Sequence, residues 1–295
     1  MKLYLKIFLF IILFFLSDFL VAFALQKGME KYYGLNKSSK ILCVGHSHTV
    51  LGIDTQLIEN ELSIPVAKYA IAGANIVDRY SMIKHFIGLN PDVKIVIYDV
   101  DARLFDTEGL SSASYTLFLP FIDNDSIDEY IKKEATWQEY VLSKIIRTSR
   151  FRDQSFNIAI RGIFGKAETL KKTKVNINNY KNYLEKERKK QIRINIESVK
   201  KFKETIDFLS KKNIIVYLIN IPVIDKLNEI DPENQKESIN IFRKISNKHD
   251  NVVFLDYSPQ YEKKYDLFFD LRHLNNKGKQ IVTQRLLNDL NLDVY

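Results

Sequence analysis

The sequence predicts an α/β protein with a doubly wound, five-stranded parallel sheet, preceded by an apolar helix of membrane-spanning length. Three observations support this fold class. Short apolar runs alternate with amphipathic helical segments, which is the pattern of β-α-β units. One long segment, at about 104–190, interrupts the alternation, and an apolar stretch opens the chain. The 295 residues leave room for one catalytic-size domain and an appendage.

The strand assignments come from five short apolar runs. The third run contains Ile95-Val-Ile-Tyr98 without a polar interruption, which indicates a strand buried on both faces. Parallel strands separated by helices are joined by right-handed crossovers, and this gives the doubly wound arrangement. The predicted strands are 41–44, 65–70, 94–100, 214–219 and 252–255.

The helical segments carry capping signals in addition to their 3.6-residue periodicity. Asp54 is predicted to cap a helix over Thr55–Leu62, and Asp231-Pro232 to cap and open another. A helix that begins after Asn75 is closed by Gly88. The remaining helices of the α/β domain are predicted at 192–209 and 281–290.

The segment at about 104–190 is predicted to be an insertion into the α/β domain. It is first rich in tyrosine and then basic, with helical patches such as Trp137–Ile146 and no strong strand pattern. We interpret it as a mainly helical subdomain. It is either a lid or a partner-binding surface, and the sequence does not choose between them.

The N-terminal stretch from Ile7 to Leu25 is apolar except for Ser17 and Asp18. Two interpretations are open: a signal peptide with a small-residue cleavage motif at 22–24, or a retained anchor. An aspartate at a membrane helix centre costs roughly 2.5–3.5 kcal/mol, which so apolar a segment tolerates, so we favour the anchor. The predicted domains are a membrane anchor at 1–30 and an α/β domain at 31–295. Both interpretations place residues after about 30 on the extracytoplasmic side, and with the retained anchor the chain is single-pass.

The charge distribution and the single cysteine limit the function classes. The net charge of +8 resides in residues 166–204, which contain thirteen Lys/Arg and five Asp/Glu, so the remainder is balanced. Such a segment contacts an anionic surface or is a solvated helix face. No recognisable nucleic-acid module accompanies it, and we predict no nucleic-acid partner. Cys43 alone excludes intrachain disulfides and multi-thiolate metal sites.

Candidate functional residues follow the strands of the predicted sheet. Ser47 follows the first strand in a short polar turn, and Gly73 follows the second. Asp99 and Asp101 lie at the end of the third strand, and the segment Asp270-Leu-Arg-His273 follows the fifth. Ligands of doubly wound sheets collect outside the carboxyl ends of the strands, so we expect these groups at one edge.

The residue types at this edge suggest nucleophilic catalysis. A serine hydroxyl becomes a good nucleophile when an imidazole accepts its proton and a carboxylate orients that imidazole. We predict Ser47 as nucleophile, His273 as base and Asp270 as its orienting carboxylate. Backbone N–H groups at Ser47 and Gly73 are predicted to bind the oxyanion, where glycine leaves the approach open.

Other polar residues at this edge receive binding roles. His48 and Asp101 are assigned to substrate binding. His46 and His48 flank the serine, but too few further ligands are close by topology, so we predict no metal ion and no cofactor. Asp99 and Asp101 are interpreted as hydrogen-bond acceptors.

These motifs resemble the SGNH/GDSL hydrolase superfamily. The resemblance lies in Gly45-His-Ser47 after the first strand, the glycine after the second, and Asp270-x-x-His273 followed by asparagine and glycine. It covers most of 40–105 and 213–290 and implies a three-layer, flavodoxin-like sheet with the roles given above. The N-terminal anchor is similar to that of bacterial envelope relatives, the polysaccharide O-acetyl-transfer and teichoic-acid D-alanine transfer proteins.

The chain departs from the superfamily pattern in one block. Where the superfamily has Gly-x-Asn-Asp, with an asparagine that donates to the oxyanion, this chain has Tyr98-Asp-Val-Asp101. We assign Asn75 as the substitute donor. The loss of one oxyanion donor costs about 10²–10³ in rate.

Two functions remain open. The first is a membrane-anchored serine esterase or O-acyltransferase that acts on cell-envelope glycan or a related acyl ester through an acyl-enzyme at Ser47. Its expected partners are the membrane, the glycan or acyl-carrying substrate, and a membrane acyltransferase. The alternative is a non-catalytic envelope assembly or carrier-docking protein that retains the fold and binds through the insertion.

Overall fold

The computed structural model describes residues 2–106, 112–165, 171–188 and 191–290. It contains one sheet of five parallel strands in the order β2-β1-β3-β4-β5, which is the flavodoxin-like order. The strands are β1 (Ile41–Gly45), β2 (Val66–Ala70), β3 (Ile95–Val100), β4 (Ile215–Asn220) and β5 (Val252–Asp256). The predicted doubly wound α/β fold is therefore confirmed, with strand boundaries shifted by one residue.

The helices fill the predicted positions between the strands and also occupy much of the insertion. Those of the sheet domain are α2 (Ser47–Gly52), α3 (Thr55–Leu62), α4 (Ile76–Leu89), α8 (Lys181–Glu187), α9 (Ile196–Ser210), α10 (Asp225–Asn228), α11 (Pro232–Ser246), α12 (Ser258–Tyr261) and α13 (Asn276–Asp289). The others are α1 (Lys2–Tyr33), α5 (Asp125–Glu134), α6 (Trp137–Ile145) and α7 (Asp153–Ile163). Short 3₁₀ helices span Ser112–Leu117, Leu119–Phe121, Arg147–Arg150, Ile177–Tyr180 and Tyr265–Leu267.

The chain forms two compact units. The sheet unit comprises Lys37–Ser111 and Glu168–Tyr295, and the anchor unit comprises Met1–Asn36 and Ser112–Ala167. The anchor unit thus combines the N-terminal helix with the first part of the segment at about 104–190, which the sequence pattern predicts to be an insertion. The basic second part belongs to the sheet unit.

The sheet is covered on both faces because its strands alternate between two apolar surfaces. Ile41, Cys43, Ile95 and Ile97 belong to a core cluster that also includes residues of α3 and α13. The opposite face carries Tyr98, whose ring contacts Phe202 of α9 at a centroid distance of 5.5 Å. Helices α4, α9 and α11 pack on strands β1, β4 and β5 respectively. This arrangement is the three-layer structure that was predicted.

The anchor unit is built around α1, which is long and apolar enough to cross a membrane. Asp18 of α1 is buried, although it lies within the apolar stretch. Its carboxylate accepts hydrogen bonds from the backbone N–H groups of Arg147 and Thr148, at 2.7 and 2.8 Å. Helices α1 and α7 touch at the backbone, because a Cβ atom at Gly28 would lie only 2.2 Å from the carbonyl oxygen of Ala159.

Three local predictions need correction. Ser47 is the first residue of α2 and not part of a polar turn. Asp231 precedes α11 without a capping hydrogen bond, because its carboxylate accepts from the backbone N–H of Ile192 at 2.7 Å and from Asn234. Gly88, predicted to close the helix after Asn75, lies inside α4, which ends at Leu89. Asp54 does cap α3, accepting from the N–H of Leu57 at 3.2 Å.

Candidate active site

Ser47 lies two residues beyond β1, at the start of the short helix α2. The chain can make this strand-to-helix turn because Gly45 ends the strand. A Cβ atom at Gly45 would lie 2.1 Å from Oγ1 of Thr49 and 2.6 Å from Cβ of Asp99. The glycine therefore allows β3 and α2 to approach β1 closely at the carboxyl end of the sheet.

Ser47, His273 and Asp270 form one chain of hydrogen bonds. Nε2 of His273 lies 2.8 Å from Oγ of Ser47, although the two residues are 226 positions apart in sequence. Nδ1 of His273 lies 2.9 Å from Oδ2 of Asp270 and 3.0 Å from its Oδ1. The three predicted residues thus have the contacts of a Ser-His-Asp triad.

The loop that carries Asp270 and His273 is held by its own backbone. Oδ1 of Asp270 accepts hydrogen bonds from the N–H groups of Arg272 and His273, each at 2.8 Å. Burial alone would raise the pKa of the Asp270 carboxyl, but these bonds and the interaction with His273 lower it below its usual value. The ring of Phe269 stacks on that of His273 at a centroid distance of 5.6 Å. The stacking restricts rotation of the His273 ring, and the lowered pKa favours the ionised form of Asp270.

The basic segment at 171–188 supports this loop from the other side. The N–H of Lys171 donates to the side chain of Asn276 at 2.9 Å, and the N–H of Val175 donates to the carbonyl of Phe268 at 2.8 Å. Buried Glu187 accepts a hydrogen bond from the guanidinium of Arg272 at 2.8 Å. Part of the basic segment therefore packs beside the loop that carries Asp270 and His273.

The two predicted oxyanion residues lie in the loop between β2 and α4. Gly73 has a φ of 82°, a left-handed conformation that favours glycine. Oδ1 of Asn75 accepts from the N–H groups of Val77 and Asp78, at 2.8 and 2.9 Å, and so caps α4. This engages the oxygen of Asn75 and leaves its amide Nδ2 as the atom that would donate to an oxyanion. The role assigned to Asn75 stays a prediction.

A second histidine–carboxylate cluster contains His46, the residue before Ser47. The sequence placed Asp99 and Asp101 near His46 by topology but did not predict these contacts. Nδ1 of buried His46 is 2.7 Å from Oδ2 of Asp99, and its Nε2 forms an ion pair with Oδ2 of Asp101 at 3.1 Å. Oγ1 of Thr49 donates to the same Oδ2 atom of Asp99 at 3.0 Å. Asp99 and Asp101 are hydrogen-bond or ion-pair acceptors, as interpreted, and their main partner is His46.

This cluster favours the charged form of His46. Burial alone would lower the pKa of His46, but the charge of Asp99 and the contacts with both carboxylates raise it above its ordinary value. Burial alone would likewise raise the pKa values of Asp99 and Asp101, which the positive charge of His46 lowers instead. An imidazolium between two carboxylates thus occupies the place where the superfamily pattern has its Gly-x-Asn-Asp block.

Arg79 is a further buried residue of the site that sequence reasoning missed. Its Nη1 donates to the carbonyl oxygen of Asp99 at 2.6 Å and its Nε to that of Ala74 at 3.1 Å. It therefore connects the loop after β2 with the end of β3. The signal in the sequence was a charged residue within one turn of the apolar positions of α4. A charged residue at such a position is ordinarily expected to be exposed to solvent.

His48 lies between the two histidine groups. Its ring centroid is 4.3 Å from that of His46 and 5.4 Å from that of His273. Burial and then the charge of His46 lower the pKa of His48 to about 3, so its imidazole is neutral. Its Nδ1 atom is buried and has no hydrogen-bond partner among the residues that the structure describes.

His48 and Asp101, the two predicted substrate-binding residues, both line a polar cleft. The cleft encloses about 520 Å³ of empty space, open solvent included. Arg272, which precedes His273, also forms part of its wall. The other lining residues include Arg103, Ile192, Asn220, Asn228, Asp231, Gln235 and Ser258. The cleft therefore begins beside the triad and is rich in amide and charged groups.

A metal ion is a second possible occupant of the histidine cluster. His46, His48 and Asp101 each offer one ligand atom within 4.8 Å of the others. However, both ring nitrogens of His46 face carboxylates, and its raised pKa favours a proton over a cation. The donor set therefore fits an imidazolium better than a metal site.

Comparison with known proteins found similar solved structures but no related sequence family. The sequence matches no protein-family model and no curated protein. Solved structures that it resembles include a protein from Streptococcus pneumonia provisionally named a platelet activating factor, with 11% identity, a TM-score of 0.49, and coverage of 95% of this chain and 99% of that one. A catalytic mutant of an acetylxylan esterase from Geobacillus stearothermophilus has 12% identity and a TM-score of 0.44, with 86% and 95% coverage.

A third structure is that of a protein from Bacteroides fragilis provisionally named an acylhydrolase. It has 9% identity and a TM-score of 0.43, with 86% of this chain and 88% of that one covered. At such identities and TM-scores the likeness carries no argument about activity. The strand order and the position of the triad agree with the SGNH/GDSL-like fold that the sequence motifs indicate.

Proposed function

We propose that this protein is a membrane-anchored serine esterase or O-acyltransferase of the cell envelope. The observation that carries the proposal is the 2.8 Å contact between Nε2 of His273 and Oγ of Ser47, with Asp270 on the other ring nitrogen. This arrangement supports general-base activation of the serine.

The proposed reaction begins when Ser47 attacks the carbonyl carbon of an acyl ester. Nε2 of His273 accepts the hydroxyl proton, and the carbonyl π electrons move to the oxygen. Backbone N–H groups at Ser47 and Gly73 are the proposed donors to that oxyanion. The tetrahedral intermediate then collapses, the ester C–O bond breaks, and His273 returns the proton to the leaving alkoxide. Ser47 is left as an acyl ester.

The second half-reaction depends on which hydroxyl enters. Water attacking the acyl-enzyme gives hydrolysis, and a sugar hydroxyl gives transfer. In both cases His273 takes the proton of the attacking group, the bond between the acyl carbon and Oγ of Ser47 breaks, and His273 returns the proton to that Oγ. The polar cleft beside the triad supports a glycan as the acceptor or acyl carrier, because amides and carboxylates such as those of Asn220, Asn228, Asp231 and Gln235 pair with sugar hydroxyls. Its wall includes His48 and Asp101.

The proposed location is the extracytoplasmic side of the cell membrane. The support is the apolar α1 and its integration into the anchor unit through Asp18, which a cleaved signal peptide would not need. The exposed lysines of the basic segment support contact with an anionic envelope polymer or lipid surface. A membrane acyltransferase that delivers the acyl group is the proposed protein partner.

An active-site-directed fluorophosphonate tests the acyl-enzyme claim on the full chain in detergent or nanodiscs. Wild type is expected to be labelled at Ser47, and Ser47→Ala to remain unlabelled. Ser38→Ala is the matched control, because Ser38 is an exposed serine outside the site and should not alter labelling. No labelling of the folded wild type, or equal labelling of Ser47→Ala, would contradict the proposal.

The alternative, a non-catalytic assembly or carrier-docking protein, makes an opposite prediction in cells. If it holds, Ser47→Ala complements a deletion strain as well as wild type does. The proposed enzyme requires that Ser47→Ala fails to complement while Ser38→Ala succeeds at equal protein abundance.

A further inference from the structure

The anchor unit exposes more apolar surface than α1 alone accounts for. Helix α6 carries Trp137, Val141 and Ile145 at helical spacing on one side, with 70%, 39% and 55% of each side chain's surface exposed. Leu142 is also exposed. The other side of α6 is held in the unit, where Ser143 is buried and the hydroxyl of Tyr140 donates to Asp128 at 2.9 Å. An apolar helix face of this kind marks an interaction surface.

The contacts of Asp18 determine where this face of α6 lies along the apolar stretch of α1. Oδ1 and Oδ2 of Asp18 accept three hydrogen bonds from the segment after α6: one from the N–H of Arg147, and two from Thr148, through its N–H and its hydroxyl at 2.5 Å. Asp18 lies seven residues before Leu25, where the apolar stretch ends. At 1.5 Å per residue, this is roughly 10 Å inside the stretch. The connection after α6 therefore meets α1 within the apolar region and not beyond it.

The end of α6 is fixed close to this point. Ile145 lies two residues before Arg147, so their Cα atoms are at most about 7 Å apart. The guanidinium of Arg147 lies over the ring of Phe19 at 5.1 Å, and Nη1 of Arg150 pairs with Asp123 at 2.8 Å. These charged groups are paired or stacked, as groups near a membrane surface are expected to be.

Helix α7 also fixes the position of α1 within the anchor unit. A Cβ atom at Gly162 of α7 would lie 1.8 Å from the carbonyl oxygen of Gly28. The close backbone contact with α7 and the Asp18 contacts with Arg147 and Thr148 are ten residues apart along α1, so they fix both its rotation and its translation against the rest of the unit. The apolar side chains at 19–23 of α1 and the face of α6 belong to one compact unit.

From this geometry we propose that α6 is embedded in the outer leaflet of the bilayer beside α1, with Trp137, Val141 and Ile145 on the acyl chains. The inference rests on the membrane anchoring in the proposed function. The occupant is lipid because α6 is fixed to the part of α1 that must itself lie in lipid. The anchor unit is then a membrane-embedded platform, and the exposed face of α6 needs no protein partner.

The chain provides its own probe, because Trp137 is its only tryptophan. The full chain is placed in liposomes of phosphatidylcholine with bromine at shallow, middle or deep acyl positions, and tryptophan emission is compared with unbrominated lipid. An interfacial helix lies roughly 5–10 Å below the headgroups, so shallow bromines are expected to remove most of the emission and deep bromines less. Aqueous iodide should quench little.

Two outcomes would overturn the inference in different ways. If the protein floats with the liposomes but bromolipid leaves the emission unchanged and iodide quenches it, α6 faces water, a partner or a second copy. In that case anchoring survives and the embedding of α6 is wrong. If the protein does not float, the anchoring in the proposed function fails as well.

Asp18→Ala tests whether the contacts of Asp18 hold α6 beside α1. It removes the acceptor for both N–H groups and should reduce quenching by shallow bromolipid while the more apolar α1 still floats. Ser17→Ala is the matched control: Ser17 is the adjacent exposed residue and its hydroxyl bonds only to the carbonyl of Phe14 among the described contacts. Equal quenching in both variants would show that Asp18 does not position α6.

Discussion

Two histidine–carboxylate clusters lie near Ser47 and differ in how many carboxylates each contains. His273 has one carboxylate, Asp270, on Nδ1 and leaves Nε2 for the hydroxyl of Ser47. His46 has a carboxylate on each nitrogen, Asp99 at 2.7 Å and Asp101 at 3.1 Å. The first arrangement can move a proton to and from a substrate. The second has no free ring nitrogen and acts as a fixed positive charge.

The two clusters also differ in how far their side chains are exposed to solvent. Side chains of His273 and Asp270 are 18% and 25% exposed, so a substrate can reach them. Those of His46 and Asp99 are 4% and 0% exposed. A buried charge persists only when it is paired, and loss of one partner leaves the other unpaired. One cluster is therefore expected to control rate and the other to control stability.

The largest expected effect is on rate, from His273→Gln. Removing the base should lower the second-order rate constant for labelling of Ser47 by a fluorophosphonate on the order of 10⁴-fold. The free energy of unfolding should change by about 1 kcal/mol or less, because the ring is partly exposed. A rate within ten-fold of wild type would show that His273 is not the base.

His46→Gln should give the reverse result. It leaves Asp99 and Asp101 without their counter-charge, so the free energy of unfolding should fall by about 3–5 kcal/mol near pH 6. Since the folded pKa of His46 is raised, its stabilisation is complete below pH 6.5 and is lost as pH rises through the folded value. The difference between wild type and variant in denaturant titrations should therefore shrink at alkaline pH. A difference that grows with pH would contradict the assigned charge.

The strand pattern and the motifs were sufficient for the fold and the triad. Apolar runs separated by amphipathic helices define a parallel sheet, and the carboxyl ends of its strands bring Ser47 and His273 together. The triad was predictable because its residue types have specific chemistry at a specific place in the topology. Its geometry agrees with the prediction, although catalysis itself is a proposal.

The His46 cluster was only partly predictable. Topology places Asp99 and Asp101 near His46, but nothing in the spacing shows that both carboxylates contact one imidazole. His46 meets Asp99 only because β1 and β3 are neighbours and Gly45 allows contact between them, which is a property of packing. The hydrogen bonds of Asp18 could not be predicted from the sequence for the same reason. Its partners, Arg147 and Thr148, lie about 130 positions away in a segment without strand or motif signals.

His48 provides a smaller effect with a distinct pH signature. Its folded pKa is lowered to about 3, so the unfolded chain takes up a proton below pH 6.5 that the folded chain does not. Between pH 6.5 and pH 5 this should lower the stability of wild type by about 2 kcal/mol relative to His48→Gln. His85, whose pKa burial lowers to about 4, is present in both proteins and cancels in the comparison. Parallel stability curves for the two proteins over this range would contradict the neutral state of His48.

Asp101→Asn is expected to have the smallest effect and separates the two carboxylates of the His46 cluster. An asparagine keeps an oxygen for Nε2 of His46, and Asp99 still neutralises the imidazolium, so the stability should fall by about 1 kcal/mol. Asp99→Asn should cost more, because Asp99 is fully buried and also accepts from Thr49. Denaturant titrations of the two variants at one pH measure the difference. If Asp101→Asn is as damaging as Asp99→Asn, then the two carboxylates share the charge of His46 equally, and the ion pair at 3.1 Å is as important as the hydrogen bond at 2.7 Å.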